Sequence, residues 1–134
     1  MSVRELRLVV TAEDYDEALR FYRDALGLAE TAEFISEGGG RVTILDAGRA
    51  TLELSDPANA AFVDEVEVGR RVAGHIRVAF MVDDAEAATA ALVEAGATVV
   101  AEPTQTPWNS LNARLEAPAG LQLTLFQDLG ADGG

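Results

Sequence analysis

The residues that could do chemistry in this chain lie at alternate positions in four short segments. The segments are ELRLVV, TLELS, HIRVAF and LQLTLF, and in each one polar and apolar side chains alternate. Because alternate residues of a β-strand point to opposite faces, the polar residues would share one face of a sheet. Charges buried there without partners would be costly, so this face is a wet cavity, a ligand site or a network of Glu–Arg pairs. The residues of this inward set are Glu5, Arg7, Glu53, His75, Arg77, Gln122 and Thr124.

Other kinds of chemistry find no support in the sequence. No Gly-x-Ser-x-Gly motif occurs, and the single histidine, His75, has no nucleophile near it in the chain, so a hydrolase triad is unsupported. The run EGGG at 37–40 is not followed by the Lys-Ser/Thr pair of a phosphate-binding loop, and we expect no nucleotide cofactor. The absence of cysteine excludes disulfides and thiolate catalysis.

An internal repeat supplies the elements that must position the inward set. Residues 5–28 and 75–98 resemble each other, since each stretch has an alternating segment, an acidic turn and a helical pattern that stops at a glycine. Three extended segments follow each helix. The repeat therefore predicts a single α+β domain, 1–134, made of two tandem βαβββ modules. Module one spans roughly 3–56, the connector 57–73, module two 74–129 and a disordered tail 130–134.

The amino-acid composition limits the classes of partner that this protein is expected to bind. The formal net charge is −13, and all ten basic residues are Arg. Such a surface repels nucleic acid and anionic lipid and would attract a cationic ligand, so we expect no nucleic acid and no membrane partner. No apolar run reaches the roughly 20 residues of a membrane helix. The charged N-terminal segment is unlike a signal peptide, and we expect a cytoplasmic protein.

Three motifs carry a family resemblance. The segment ALRFYRDALGL is similar to the SxxFYxxxLGF opening of the glyoxalase/bleomycin-resistance/dioxygenase (vicinal oxygen chelate) superfamily. GHIRVAFMVDD, followed by EAGA, resembles the second-module opening of glyoxalase I-like proteins, and APAGLQLTLF is similar to the DPDGNxIxL ending. The resemblance implies a U-shaped half-barrel around a concave cavity, a small-molecule ligand or substrate, and a homodimer.

The resemblance also implies a site for one divalent metal ion, held at four symmetry-related positions. In this sequence those positions are Glu5, Glu53, His75 and Thr124. Thr124 departs from the usual Glu, which leaves Glu5, Glu53 and His75 as metal ligands and Glu5 or Glu53 as a catalytic base. The alternative is that Glu5 and Glu53 pair with Arg7 or Arg77, and that His75 is a polar lining residue.

Further candidates concern ligand binding. Trp108, in QTPWNSLNARL, lies in a segment similar to a PWG-like one of binding members of the superfamily, where an aromatic ring stacks on a planar ligand. Packing at a loop or a dimer contact is the other interpretation, and Asn109 stands where the family has Gly. The remaining candidate ligand-binding residues are Arg7, Arg77, Gln122, Thr124 and Phe126.

Three functions are compatible with these observations. The favoured one is a binding protein that sequesters a small molecule in the inter-module cavity, of the resistance type. The alternative is a divalent-metal-dependent lyase or isomerase resembling glyoxalase I or an epimerase. A purely structural or regulatory role has least support, because so many polar groups face inward. The sequence leaves open the ligand, the metal and catalysis itself.

Overall fold

The computed structural model of the chain describes residues 1–117 and 121–130. Within these ranges the chain forms eight strands and three helices, and the first helix ends in a π-helical segment, Arg20–Ala25. In chain order the elements are β1 (Val3–Thr11), α1 (Tyr15–Leu19), β2 (Glu30–Ile35), β3 (Arg41–Asp46), β4 (Thr51–Ser55), α2 (Pro57–Glu67), β5 (Ile76–Val82), α3 (Ala85–Glu94), β6 (Thr98–Gln105), β7 (Ser110–Ala117) and β8 (Leu121–Asp128).

All eight strands belong to one open mixed sheet, in the order β2-β3-β4-β1-β5-β8-β7-β6. Within each module the first and last strands are parallel neighbours, β1 with β4 and β5 with β8. The two modules join through the antiparallel pair β1 and β5. This arrangement confirms the predicted α+β fold of two tandem βαβββ modules in a half-barrel.

Local sequence signals explain where the helices begin and end. Asp14, Asp56 and Asp84 each cap a helix, because each side chain accepts a hydrogen bond from a backbone N–H three residues further on. After α1 and α3, the chain turns at Gly27 and Gly96, whose φ angles are 86° and 121°. Glycine adopts such angles without a Cβ clash.

The apolar face of the sheet packs beneath α1 and α3 and forms the core. The leucines of the closing strands lie on this face, as the alternation predicts. Burying such a side chain contributes about 1.5–3 kcal/mol. Module one buries Tyr15, Leu19, Leu45, Leu52 and Leu54, and module two buries Val82, Ala85, Ala88, Ala113, Leu115, Leu123 and Leu125.

The first part of the connector forms an 11-residue helix, α2, whose Asp64 and Glu67 contact Arg114 of β7 on the opposite, concave face. Its Asn59, Ala60, Asp64 and Glu67 are buried. The turn between β2 and β3 approaches α2 so closely that a Cβ on Gly40 would lie 2.5 Å from the backbone nitrogen of Asn59. The helix therefore covers part of the face on which the inward polar set lies.

Two further sequence expectations concern the C-terminal tail and membrane-spanning segments. Of the predicted disordered tail, 130–134, residues 131–134 lie outside the described residues. Residues 118–120, in the turn before β8, also lie outside them. None of the helices in the described ranges is long and apolar enough to cross a membrane.

Candidate functional site

The register between β1 and β5 decides which residues can meet on the concave face. Glu5 lies opposite Met81 at one end of the pair, whereas His75 lies beside Thr11 at the other. Six residues of extended strand separate these ends, which corresponds to about 20 Å. Glu5 and His75, although equivalent in the repeat, therefore lie too far apart to share an ion.

The centre of the face is occupied by two arginines. In the register of β1 and β5, Leu8 lies opposite Val78, its equivalent in the repeat. Arg7 and Arg77 each precede one of these residues, so they lie diagonally across from each other on the concave side. The closing strands bring Glu53 beside β1 and Thr124 beside β5, since β4 and β8 are the parallel neighbours of these strands. We call Arg7, Glu53, Arg77 and Thr124 the central quartet.

Arg7 is held by two carboxylates of module one. Its Nε donates a hydrogen bond to Glu5 Oε2 at 2.7 Å, and its NH1 lies 3.6 Å from Glu53 Oε1. The guanidinium also lies over the Phe126 ring, 5.0 Å from its centre, and the Thr51 hydroxyl donates to Glu5 at 3.4 Å. This is the Glu–Arg pairing that the sequence offered as the alternative to a metal site. Arg7 is half-buried, so the pair remains open to a ligand.

Arg77 has a different environment. Its NH1 donates a hydrogen bond to Thr124 Oγ1 at 2.8 Å, and no carboxylate of the described residues forms a salt bridge with it. Burial lowers the pKa of Arg77, and the positive charge of Arg114 lowers it further. The negative charge of Glu67 acts in the opposite direction and raises it. The guanidinium is therefore partly desolvated without a directly paired anion.

A second charged cluster joins α2 to module two. Arg114 is fully buried on β7 and donates to Glu67 Oε1 at 2.7 Å, to Asp64 Oδ1 at 2.8 Å and to Gln122 Oε1 at 2.8 Å. The Asn112 side chain donates to the other oxygen of Glu67 at 2.7 Å. We call Asp64, Glu67 and Arg114 the α2 anchor, because they fix the helix over the sheet.

Asp64 also organises the segment that follows α2. Its Oδ2 accepts hydrogen bonds from the backbone N–H groups of Val72 and Ala73, each at 2.9 Å, and from Arg71 at 2.7 Å. Burial by itself raises the pKa of Asp64, but these N–H groups and the two guanidiniums outweigh it and hold the pKa below its ordinary value of 3.8. The segment is thereby held on the concave face beside Arg77.

The other predicted site residues lie at the margins of this face. Gln122 accepts from Arg114 and donates to Glu116 at 3.1 Å, so both ends of its amide are engaged. Trp108 is exposed and packs against Phe62 of α2, with 6.4 Å between ring centres. His75 is exposed, with Nδ1 3.4 Å from the Thr11 carbonyl oxygen.

The residues do not fit a divalent metal ion as arranged. His75 is not brought to Glu5 and Glu53, and no group of three His, Cys, Asp or Glu in residues 1–117 and 121–130 could hold a metal. Arg7 places a positive charge where Glu5 and Glu53 converge. The chemistry open to the central quartet is hydrogen bonding and charge stabilisation by guanidinium groups, with carboxylates beside them.

Sequence reasoning missed the α2 anchor. The alternation of β7 opposes Asn112 and Arg114 to Ala113 and Leu115 and could have placed Arg114 on the concave face. The spacing of Asp64 and Glu67, three residues apart, could likewise have marked one face of a helix. What joins them is the packing of α2 on the sheet, which neither local pattern reveals.

The fold defines a class of proteins built from two βαβββ modules that share one open sheet. Residues 6–125 match the Glyoxalase/Bleomycin resistance protein/Dioxygenase superfamily, and the chain belongs to this superfamily. The sequence resemblance is thereby confirmed. No curated protein matches the chain.

Solved structures share the fold at low sequence identity. A hypothetical protein from Bacillus halodurans C-125 has a TM-score of 0.72 and 18% identity, and the match covers 95% of each chain. Methylmalonyl-CoA epimerase from Mycobacterium tuberculosis has a TM-score of 0.68 and 22% identity over 96% of this chain and 90% of that one. A variant of the Streptomyces coelicolor epimerase, in complex with 2-nitronate-propionyl-CoA, has a TM-score of 0.68 and 22% identity, covering 96% and 100%.

Proposed function

We propose that this protein binds a small molecule on the open part of its concave face and sequesters it, without a metal ion. The single observation that carries the proposal is the placement of Arg7. Its guanidinium lies between Glu5 and Glu53, over Phe126, and the side chain remains 26% exposed at the centre of the sheet. Charged groups held this way at the bottom of a concave face are suited to recognise a polar ligand.

Elemental analysis and titration test this proposal. We expect protein purified without a His tag to carry no stoichiometric divalent ion, and Trp108 fluorescence to show no saturable response to micromolar Mn²⁺, Ni²⁺ or Zn²⁺. We also expect backbone amide signals of β1 and β5 to shift when a fragment library is added. A bound ion that is lost in both Glu53→Ala and His75→Ala would contradict the metal-free proposal.

A lyase or isomerase is the second candidate function. Metal-dependent members of the superfamily are known, and the solved structures with this fold include methylmalonyl-CoA epimerases. In such a reaction a carboxylate removes a proton beside a carbonyl, and Glu53 or Glu5 would be that base. Positive charge from Arg7, which contacts both carboxylates, would stabilise the developing oxyanion.

Proton exchange separates the two candidates. Methylmalonyl-CoA in D₂O would lose its α-proton signal in the presence of an epimerase, and Glu53→Gln would abolish the exchange. Arg4→Gln serves as the control, because Arg4 forms only a surface salt bridge with Asp83. Ligand binding without exchange of any acyl thioester would leave sequestration as the function.

A homodimer is part of the proposal. Large apolar side chains are exposed on the π-helical segment Arg20–Ala25 and on the edge strand β2, among them Phe21, Phe34 and Ile35. Exposed apolar patches are typical of interaction surfaces. Sedimentation equilibrium should give about twice the mass of the 14.1 kDa chain, and a strictly monomeric protein at 100 µM would contradict this part.

A further inference from the structure

We propose that Arg77 and Thr124 form a subsite for an anionic group, a carboxylate or a comparable oxyanion, on the ligand that the concave face binds. The inference rests on the proposed function and adds the chemical class of the ligand. It is carried by a difference between the two modules, at positions that the repeat and the sheet register make equivalent.

Module one supplies its central arginine with negative charge, and module two does not. Arg7 contacts two carboxylates, Glu5 and Glu53. The equivalent positions around Arg77 are His75, an exposed residue just before β5, and Thr124, a neutral hydroxyl. Arg77 is thus the member of the central quartet whose positive charge has no salt bridge within residues 1–117 and 121–130.

The α2 anchor does not supply the missing anion. Asp64 and Glu67 are the nearest candidates on α2, but both accept from Arg114, and Asp64 also accepts from Arg71. Each of these carboxylates therefore already has a short, direct contact with an arginine other than Arg77. The negative charges of Glu67, Glu53 and Asp64 reach Arg77 through space and raise its pKa, but none of these carboxylates forms a salt bridge with it.

Space beside Arg77 suits an oxygen atom. Arg77 borders a small hollow of about 10 Å³, between the sheet and the start of α2, with Ser55, Asn59 and Gly74 also at its wall. A hollow of this size accommodates about one water-sized atom. A guanidinium carries five N–H donors, and the hydrogen bond to Thr124 uses one of them. A carboxylate of the ligand would accept hydrogen bonds from the N–H groups that Thr124 leaves free.

The energetics favour an anion at this point despite the acidic surface. The net charge of −13 repels anions at a distance, but salt screens exposed charges beyond about 8 Å under physiological conditions. A partly desolvated guanidinium forms stronger hydrogen bonds with a carboxylate than with water or a hydroxyl. The carboxylates of Glu67, Glu53 and Asp64 act on Arg77 from a distance but form no salt bridge with it, so a ligand carboxylate would be its direct ionic partner. The proposed ligand class therefore differs from the cationic one that the composition suggested.

Matched fragments test the charge requirement directly. Propionate, propionamide and propylammonium have nearly the same size and differ in charge. We would titrate each into ¹⁵N-labelled protein and follow the arginine Nε–Hε signals, with the Arg77 signal identified by its loss in Arg77→Gln. We expect a saturable response to propionate with a millimolar dissociation constant, and at least tenfold weaker binding of the other two fragments.

Two variants and a control assign the effect to the subsite. Arg77→Gln removes the charge and should weaken propionate binding at least tenfold. Thr124→Asp has nearly the same volume and places a carboxylate on Arg77, as in module one, so it should weaken binding similarly while retaining the arginine. Arg4→Gln, on the exposed surface, should bind propionate as the unaltered protein does. The dispersion of the amide spectrum verifies folding in each case.

The outcomes distinguish this inference from the proposed function. If propionamide or propylammonium binds the concave face as tightly as propionate, the anionic subsite is refuted while small-molecule binding stands. Propionate binding that survives both Arg77→Gln and Thr124→Asp also refutes the subsite. If neither these fragments nor a broader library shifts any signal of β1 or β5, the proposed function itself fails.

Discussion

Replacing Arg114 with methionine should destabilise the folded protein by about 3–5 kcal/mol. Arg114 is 0% exposed, and the carboxylates that it neutralises, Asp64 and Glu67, are each 1% exposed. Methionine has a similar length but no charge, so it would leave both carboxylates buried with less compensation. The cost arises chiefly from these uncompensated charges rather than from a lost contact.

The magnitude is large compared with the stability of a domain of this size. Domains are stable by about 5–15 kcal/mol, so the variant would lose a considerable fraction of the total. For a chain of 134 residues, a loss of about 4 kcal/mol lowers Tm by roughly 10–20 °C. Urea unfolding at pH 7, followed by circular dichroism, measures the free energy of unfolding directly.

A double-mutant cycle identifies the cause. Arg114→Met combined with Glu67→Gln should be less destabilised than the sum of the two single variants, because the second change removes a buried charge. The control, Arg4→Met, breaks a salt bridge whose side chains are 60% and 66% exposed, and should cost less than about 1 kcal/mol. A loss below about 1 kcal/mol for Arg114→Met, or strict additivity in the cycle, would refute the reasoning.

Three further predictions concern acid stability and two backbone positions. Because the pKa of Asp64 in the folded state lies below its ordinary value of 3.8, its contribution to stability is present above that pH and is lost as the pH falls through the folded-state pKa. Urea midpoints between pH 5 and pH 2 should therefore fall less steeply in Asp64→Asn, and parallel curves would contradict this. Gly40→Ala should cost about 1–3 kcal/mol, since its Cβ would lie 2.5 Å from the Asn59 nitrogen, and thermal unfolding at unchanged Tm would show that the close approach relaxes freely. Asn109 has a φ of 62°, so Asn109→Gly should be tolerated. Asn109→Ala should lower the free energy of unfolding in urea by about 1 kcal/mol. Equal stability of the two variants would argue against strain at this turn.

The left-handed conformation of Asn109 also explains a departure from the family pattern. The PWG-like segment that the sequence resembles has glycine at this position, and the φ of 62° is one that glycine and asparagine both adopt readily. The substitution therefore preserves the turn between β6 and β7. Its effect on Trp108 is indirect, since that ring packs against Phe62.

The sequence by itself determined the elements and the face on which each side chain lies. The period of two in the strands and the matching helices predicted the tandem modules, and terminal glycines marked the ends of the first and last helices. The same alternation placed Arg7, Glu53, Arg77 and Thr124 on the concave face. It also offered the pairing of Arg7 with glutamates that the structure contains.

Only the tertiary structure decided which of those residues meet. A repeat makes Glu5 and His75 equivalent, but the antiparallel pairing of β1 and β5 sends equivalent residues to opposite ends, except near the centre of the pair. Periodicity specifies a face and not a position along it, because register is set by pairing between distant segments. Likewise, the packing of α2 on the sheet joined Asp64 to Arg114, 50 residues further along the chain, and thereby determined which part of the concave face stays open.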